Sequence, residues 1–223
     1  MTFYNAHSHA EEIKHEDFTI VSVDIRKPFE LSKPSHQFYS VGIHPWHIKT
    51  NDREAIHSLF TKVYRFSQLP KIVAIGETGL DKTSAKSTID FDFQQEIFNS
   101  HARIAEKVKK PLIIHCVKAY DEILHVRQSI KPSVPWIIHG FRGKTPLASR
   151  LLKADIYLSF GKHYHIESLK AAWQKGRLLL ETDDSNISIR EIYQKATHDL
   201  AVSEQALSDE IEIIFKFFAG KIA

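Results

Sequence analysis

Eight short apolar segments, separated by polar or helical stretches, constrain the fold of this chain more than any other feature. Most of them are continuous in their apolar residues rather than alternating, and they are rich in Ile, Val, Leu and aromatic side chains. That pattern is typical of parallel strands whose outer face is covered by helices. The segments are Phe3–Asn5, Thr19–Val23, Phe38–Gly42, Ile72–Gly76, Leu112–His115, Trp136–His139, Ile156–Ser159 and Leu178–Thr182.

Segments with helical spacing follow several of these candidate strands. Between residues 91 and 108, apolar residues recur every three or four positions, and Pro111 then introduces the next strand. Similar stretches are Tyr120–Ser129, Pro146–Lys153, Ile166–Lys175, Ser188–Ala201 and Ser203–Phe218, the last capped by Ser203. Eight strands alternating with helices predict an α/β fold of the (β/α)8 TIM-barrel type, with an open doubly wound sheet as the structural alternative.

One crossover of the predicted barrel could be degenerate. The linker Arg26–Gln37 contains Pro28 and Pro34 and is too interrupted for a good helix. The chain has 223 residues, slightly under the ~250 that are typical of such a barrel. No low-complexity or Gly/Ser-rich linker divides it, so we expect one domain over residues 1–223.

Composition indicates the cellular compartment in which we expect the protein, but it does not identify a substrate. The net charge of +3 is compatible with an anionic substrate, yet it is too small to establish nucleic-acid binding. The single cysteine, Cys116, excludes an internal disulfide and fits a reducing compartment. The chain has no signal-peptide pattern and no run of ~20 apolar residues. We therefore expect a cytoplasmic protein that does not associate with membranes, and a monomer is favoured.

Metal-competent side chains follow or end five of the eight candidate strands. In a barrel the carboxyl ends of the strands meet at one rim, so these side chains should be neighbours in space. His7 and His9 are two residues apart, which on a strand places both imidazoles on the same face. The predicted ligands are His7, His9, Glu77, His115, His139 and Asp183.

The number and type of these ligands indicate two ions. Each residue taken singly has a simpler explanation: Glu77 could form a salt bridge, and Asp183 could cap the following helix. Their joint occurrence at strand ends favours a metal site. Six ligands exceed what one catalytic ion ordinarily takes, whereas two divalent ions ~3.5–4 Å apart and bridged by a carboxylate would use them all. Imidazole suits Zn, and the carboxylates extend the choice to Mg and Mn.

Short motifs carry a resemblance to a known family. They run in order from residue 5 to residue 183. They are Asn5-Ala6-His7-Ser8-His9, Gly42-Ile43-His44-Pro45, Gly76-Glu77-Thr78-Gly79-Leu80-Asp81, Gln94 to Phe98, Pro111 to His115, His139-Gly140-Phe141-Arg142-Gly143 and Glu181-Thr182-Asp183. This ordered set resembles the TatD-family deoxyribonucleases, which are barrel hydrolases related to the amidohydrolases.

The resemblance implies roles for individual residues. It implies that His7, His9 and Asp183 bind one ion. It assigns His115 and His139 to the second ion and makes Glu77 the bridge. His44 would lie near the substrate and stabilise charge on the phosphoryl oxygens, while Asp183 would accept a proton from a metal-activated water. We also expect Glu181 to orient one of the metal ligands without itself binding the ion. Lys118 should offer a positive charge to a phosphate group of the substrate.

The resemblance predicts a metal-dependent phosphodiesterase, specifically a 3′-5′ exodeoxyribonuclease acting on DNA or another phosphodiester. Three positions depart from the family pattern: Asn5 replaces its opening Asp, Val117 stands where Arg is frequent, and Ser185 begins a shorter loop. These departures leave two alternatives open. One is an amidohydrolase-like enzyme acting on a small amide or ester, and the other is a non-catalytic barrel that keeps the metal site.

Overall fold

A computed structural model describes residues 1–9, 17–31, 35–49 and 53–219 of the chain, with side chains to residue 217. Eight strands form one sheet in the order β1 to β8, so that each strand neighbours the next one along the chain. The strands are β1 (Tyr4–Ser8), β2 (Phe18–Asp24), β3 (Gln37–Gly42), β4 (Ile72–Asp81), β5 (Leu112–Val117), β6 (Trp136–Ile138), β7 (Ile156–Phe160) and β8 (Leu178–Leu180). The pairings of β1 with β2, β3 with β4, β4 with β5, and β7 with β8 are parallel.

Helices follow the strands from β3 onward. They are the short 3-10 helix Pro45–His47, α1 (Arg53–Phe66), α2 (Thr88–Val108), α3 (Tyr120–Ile130), α4 (Thr145–Lys153), α5 (Ile166–Gln174), α6 (Ile189–Leu200) and α7 (Glu204–Ala219). Between β2 and β3, no helix occurs in the part of the linker that the structure describes, as predicted; Pro34 lies outside that part. Among the described helices, none has the length and apolarity to cross a membrane.

The chain divides into two compact units. The first unit contains Met1–Val21, Ser32–Phe38 and Ile137–Ala223, and the second contains Ser22–Leu31 and Tyr39–Trp136. The prediction of a single domain over residues 1–223 stays a prediction.

Within the first unit, the first and last strands of the sheet are joined. Ser8 and Asp183 form a parallel bridge just beyond β8. The His9 amide donates to the Asp183 carbonyl at 3.0 Å, and the Asp183 amide donates to the His7 carbonyl at 3.1 Å. The sheet therefore closes on itself, which confirms the (β/α)8 class and excludes the open doubly wound sheet.

The apolar face of α7 fills the core of the first unit. Phe215 lies 5.2 Å from the ring centre of Tyr4 and 6.4 Å from those of Phe18 and Phe38. Ile211 is also fully buried beside it. The predicted cap is confirmed, since the Ser203 hydroxyl accepts from the amide of Ala206 at 3.1 Å.

In the second unit, glycines let β3, β4 and β5 approach closely. A Cβ at Gly42 would lie 2.6 Å from the Glu77 carbonyl oxygen, and one at Gly79 would lie 1.9 Å from the His115 carbonyl oxygen. Gly79 also has a φ of +151°, a conformation that side chains disfavour. All ten residues of β4 are buried. These contacts hold the Glu77 and His115 positions next to one another on adjacent strands.

All eight predicted strands are present, but only β3 ends at the predicted residue, Gly42, and the other seven end elsewhere. Two of these differences change where a candidate ligand lies. β4 continues to Asp81, so Glu77 lies within the strand rather than beyond its end. β8 stops at Leu180, so Glu181, Thr182 and Asp183 follow it. The helix α1 was not predicted, although apolar residues such as Ile56, Phe60 and Val63 recur along it at helical spacing.

Candidate metal centre

Three side chains of the first unit converge on one point. His7 Nε2 lies 3.3 Å from His9 Nε2, and Asp183 Oδ1 lies 3.8 Å from His7 Nε2 and 3.6 Å from His9 Nε2. Ligands at ~2.0–2.1 Å from a tetrahedral ion are about 3.3–3.4 Å apart from each other. The spacing and the two-imidazole, one-carboxylate chemistry therefore fit one divalent ion such as Zn or Mn.

The backbone explains why these three side chains meet. His7 lies in β1 and is fully buried, while His9 follows the strand on the same face with its side chain 43% exposed. Asp183 adopts a left-handed φ of 54° directly after β8, and its main chain pairs with that of His7 and His9. The group is therefore buried on one side and open to solvent on the other.

A second set in the first unit consists of His139 and Glu181. His139 follows β6, and its ring centre lies 4.3 Å from that of His7. Glu181 Oε1 accepts from the Gly140 amide at 2.6 Å and lies 3.4 Å from His139 Nδ1. Ligand atoms of His139, Glu181 and Asp183 all lie within 4.8 Å of one another. This contact supports the predicted role of Glu181, because a carboxylate on one imidazole nitrogen directs the other toward an ion.

Glu181 is held as a carboxylate despite being completely buried. Burial raises the pKa of its carboxyl group, but the His139 hydrogen bond and the nearby His7 outweigh that effect and leave the pKa below its usual value. A buried negative charge beside the imidazoles of His7 and His139 favours a positive charge, such as that of a metal ion, close to these rings.

In the second unit, Glu77 lies between two histidines. Glu77 Oε1 is 3.0 Å from His44 Nε2 and 3.1 Å from His115 Nδ1, and only 4% of Glu77 is exposed. Ligand atoms of these three residues lie within 4.8 Å of one another. His44, Glu77 and His115 thus form a second group of metal-competent side chains, with a carboxylate at its centre; we call it the second ligand group.

Hydrogen bonds distinguish the two histidines of this group. His44 Nδ1 accepts from the Trp46 amide at 3.1 Å, so the neutral ring carries its proton on Nε2. The Nε2–H then donates to Glu77. A ring that donates through Nε2 is poorly suited to bind an ion through that atom, which supports the prediction that His44 serves the substrate.

Sequence reasoning missed Asp81 and Trp46 as parts of this group. Asp81 Oδ2 lies 3.3 Å from His115 Nε2 and accepts from the Trp46 indole Nε1 at 2.7 Å. Asp81 is four residues beyond Glu77 on one strand, so the period-two rule places both carboxylates on one face and could have identified it. Asp81 is a candidate to orient His115, as Glu181 orients His139.

The Asp81 carboxyl group is strongly acidic. Burial raises its pKa, but hydrogen bonds from Thr83, Trp46 and His115 outweigh burial and lower the pKa to about 2. The Thr83 amide and hydroxyl donate to Oδ1 at 2.7 and 2.6 Å. Asp81 is therefore a fixed negative charge in contact with His115.

The remaining residues singled out from the sequence are Lys118 and the three departures Asn5, Ser185 and Val117. Lys118 is exposed with a left-handed φ of 55° immediately after β5, and no described contact joins it to the ligand groups. The Asn5 departure has a structural explanation: its Nδ2 donates to the Thr182 hydroxyl at 2.8 Å and its Oδ1 accepts from the Thr182 amide at 3.0 Å. The Ser185 hydroxyl accepts from the Ile187 amide at 3.3 Å. The structure gives no account of Val117.

The structure thus assembles the predicted ligands into two groups. In the first unit it brings together His7, His9, His139 and Asp183, with Glu181 behind His139. In the second unit it brings together Glu77 and His115, with His44 as a donor. Imidazole nitrogens and carboxylate oxygens are the donor set that Zn, Mn and related ions take in proteins.

Comparison with known proteins identifies relatives of this chain. The family model described as TatD related DNase matches residues 8–202. An uncharacterized metal-dependent hydrolase of Buchnera aphidicola is 30% identical over 78% of this chain and 70% of its own length. A protein of Erwinia billingiae named a 3′-5′ ssDNA/RNA exonuclease TatD is 27% identical over 68% of this chain and 59% of its own length.

A solved structure shows the same fold. The crystal structure of YJJV, a TatD homolog from Escherichia coli K12, matches with a TM-score of 0.76 and 15% identity, covering 97% of both chains. The chain spans 70%, 56% and 46% of the length of three of its curated relatives. The family match over most of the sequence, together with the ligand groups, shows that the chain belongs to the TatD-related family of metal-dependent hydrolases.

Proposed function

We propose that this chain is a divalent-metal-dependent phosphodiesterase that shortens single-stranded nucleic acid from its 3′ end. The observation that carries the proposal is the triangle of His7, His9 and Asp183, whose spacing fits an ion and which is open to solvent through His9 and Asp183. The name of the Erwinia billingiae relative, a 3′-5′ ssDNA/RNA exonuclease, supports the substrate class. DNA is the substrate we expect first, and RNA is the close alternative.

The proposed cofactors are two divalent ions, drawn from Mg, Mn and Zn. We assign His7, His9 and Asp183 to one ion, His115 and His139 to the other, and Glu77 as the bridging carboxylate. These imidazole nitrogens and carboxylate oxygens would be suitable ligands for such ions. When bound, such ions supply Lewis acidity and a water acidic enough to ionise near neutral pH.

The residues around the ions have distinct tasks in this proposal. Asp183 accepts the proton of the attacking water, and its side chain, 25% exposed, can release that proton to solvent. His44 can exchange its hydrogen-bond acceptor: its Nε2–H, which donates to Glu77, can donate instead to a phosphoryl oxygen on which negative charge develops. Glu181 and Asp81 hold the rings of His139 and His115 in place.

Hydrolysis assays with a matched pair of variants test this function. Wild type is stripped with EDTA, supplied with Mg, Mn or Zn, and assayed on bis-p-nitrophenyl phosphate and a single-stranded oligonucleotide. Asp183→Asn should lower the rate constant by about 10²- to 10⁴-fold on both substrates, because it removes the general base. Asp184→Asn, at the exposed neighbouring residue, is the control for loss of a nearby charge.

Two results would count against the proposal. Equal activity of Asp183→Asn and Asp184→Asn would show that Asp183 is not the base. Turnover of p-nitrophenyl esters or anilides by metal-loaded wild type, with no cleavage of either phosphodiester, would indicate a small-molecule amidohydrolase instead.

A further inference from the structure

Trp46 presents an unusual surface beside the second ligand group. It is 60% exposed, although the chain buries Trp136 completely. It lies in the short 3-10 helix that follows Gly42-Ile43-His44, and the centre of its ring lies 4.9 Å from that of His44 and 5.9 Å from that of His115. A large apolar face is thus open to solvent next to two candidate active-site histidines.

The exposed indole is held in position. Its Nε1 donates to Asp81 Oδ2 at 2.7 Å, and its backbone amide donates to His44 Nδ1 at 3.1 Å. The rings of His44 and His115 meet it at interplanar angles of 75°, as edge-to-face contacts. The only hydrogen-bonding atom of the indole is therefore already used, and what the side chain offers to a ligand is its π face.

We propose that Trp46 is a stacking platform for an unpaired nucleobase of the strand that is being cleaved. The inference rests on the proposed function and names the part of the substrate that this side of the site recognises. Aromatic side chains bind single strands in this way, and a base stacked on a π face is accepted whatever its sequence. Because the indole N–H is engaged by Asp81, the platform cannot read base edges and should show little preference among the four bases.

Asp81 links this platform to the candidate metal ligands. One carboxylate oxygen, Oδ2, contacts both the Trp46 indole and His115 Nε2. The position of a stacked base is thereby fixed relative to His115, and so is the position of the phosphate attached to that base. Trp46 acts in this scheme as a specificity-determining residue that favours substrates with bases over bare phosphodiesters.

The test compares two oligonucleotides that differ only in their bases. One carries ordinary nucleotides at its 3′ end, and the other carries abasic sites at the last two positions. The ratio of their kcat/KM values is measured for metal-loaded wild type, Trp46→Ala and Trp46→Phe. Ile89→Ala is the control, because it removes an apolar side chain that is 66% exposed at the start of α2. Thermal unfolding of each variant checks that the fold is retained.

We expect wild type and Ile89→Ala to favour the ordinary oligonucleotide by about tenfold to a hundredfold. Trp46→Ala should reduce that ratio to near one, and Trp46→Phe, which keeps a π face, should restore most of it. A ratio that is the same in wild type and Trp46→Ala would overturn the inference while leaving the nuclease function intact.

A binding measurement separates this inference from the proposed function. In EDTA-treated protein, the ordinary oligonucleotide should quench indole fluorescence more than the abasic one does, and Trp46→Phe should abolish the difference. If metal-loaded wild type cleaves nothing, the proposed function fails, and the quenching difference still decides whether Trp46 binds bases. Equal quenching by both oligonucleotides would contradict the stacking platform.

Discussion

His101 should make the stability of this protein fall in mild acid. It is completely buried in α2, its Nδ1 lies 2.9 Å from the Ile97 carbonyl, and its Nε2 accepts from the Ile43 amide at 3.1 Å. Both contacts require a neutral ring that is protonated on Nδ1. Burial therefore lowers the pKa of His101 to about 4, although the Ile97 hydrogen bond acts in the opposite direction.

The size and sign of the effect follow from proton linkage. The unfolded chain takes up this proton near pH 6.5, whereas the folded protein takes it up only near pH 4, so stability is lost as pH falls from about 6.5 to about 4. A shift of that size corresponds to about 3 kcal/mol in full, of which about 2 kcal/mol is lost between pH 7.5 and pH 5.

Urea unfolding of wild type and His101→Gln at pH 7.5 and pH 5 measures this effect. Glutamine can donate to Ile97 and accept from Ile43 but does not titrate, so the difference between the two proteins isolates His101 from the other histidines among the 14 in the chain. We expect wild type to lose about 2 kcal/mol more than His101→Gln over this range. Equal losses in the two proteins would refute the reasoning.

Three further predictions concern the ligand groups and their supports. Glu181→Gln should keep the contact with the Gly140 amide but weaken metal affinity by about 10- to 100-fold, because His139 loses its carboxylate partner; isothermal titration with Zn or Mn measures this. Gly79→Ala should prevent stable folding, because its Cβ would collide with the His115 carbonyl. In Gly140→Ala the new Cβ meets nothing closer than 3.7 Å, so urea unfolding should show a loss of only about 1–2 kcal/mol in the free energy of unfolding, caused by the positive φ. An ion at 100 times its dissociation constant should stabilise wild type by about 2.7 kcal/mol, as measured by thermal or urea unfolding. His7→Ala should lose most of that stabilisation. Equal stabilisation of both proteins would show that the ion binds elsewhere.

The strands and the ligand residues could be predicted from sequence because both have local signals. Buried parallel strands are continuous apolar runs, and each ligand interrupts or follows such a run. Asn5 could be identified as a departure, but its paired hydrogen bonds to Thr182 depend on the contact between β1 and the segment after β8, which only the fold supplies.

The features that could not be predicted depend on tertiary contacts. Glu77 lies within β4 rather than beyond it, because the strand is longer than its apolar run suggests. The helix α1 is a different case, since its apolar residues do recur at helical spacing and its prediction was missed. The donor role of His44 follows from the Trp46 amide on its Nδ1, and Trp46 became notable only through its exposure beside Asp81. The cytoplasmic location, the monomeric state and the substrate role of Lys118 stay predictions.

The central claim is that a divalent ion held by this chain drives removal of nucleotides from a 3′ end. The most direct test is a time course with a 5′-labelled single-stranded oligonucleotide, using EDTA-treated wild type with and without restored Mn. The account predicts no products without the ion, and with it a ladder that shortens one nucleotide at a time. An intact oligonucleotide in the presence of bound Mn, or immediate release of the 5′ label, would contradict it.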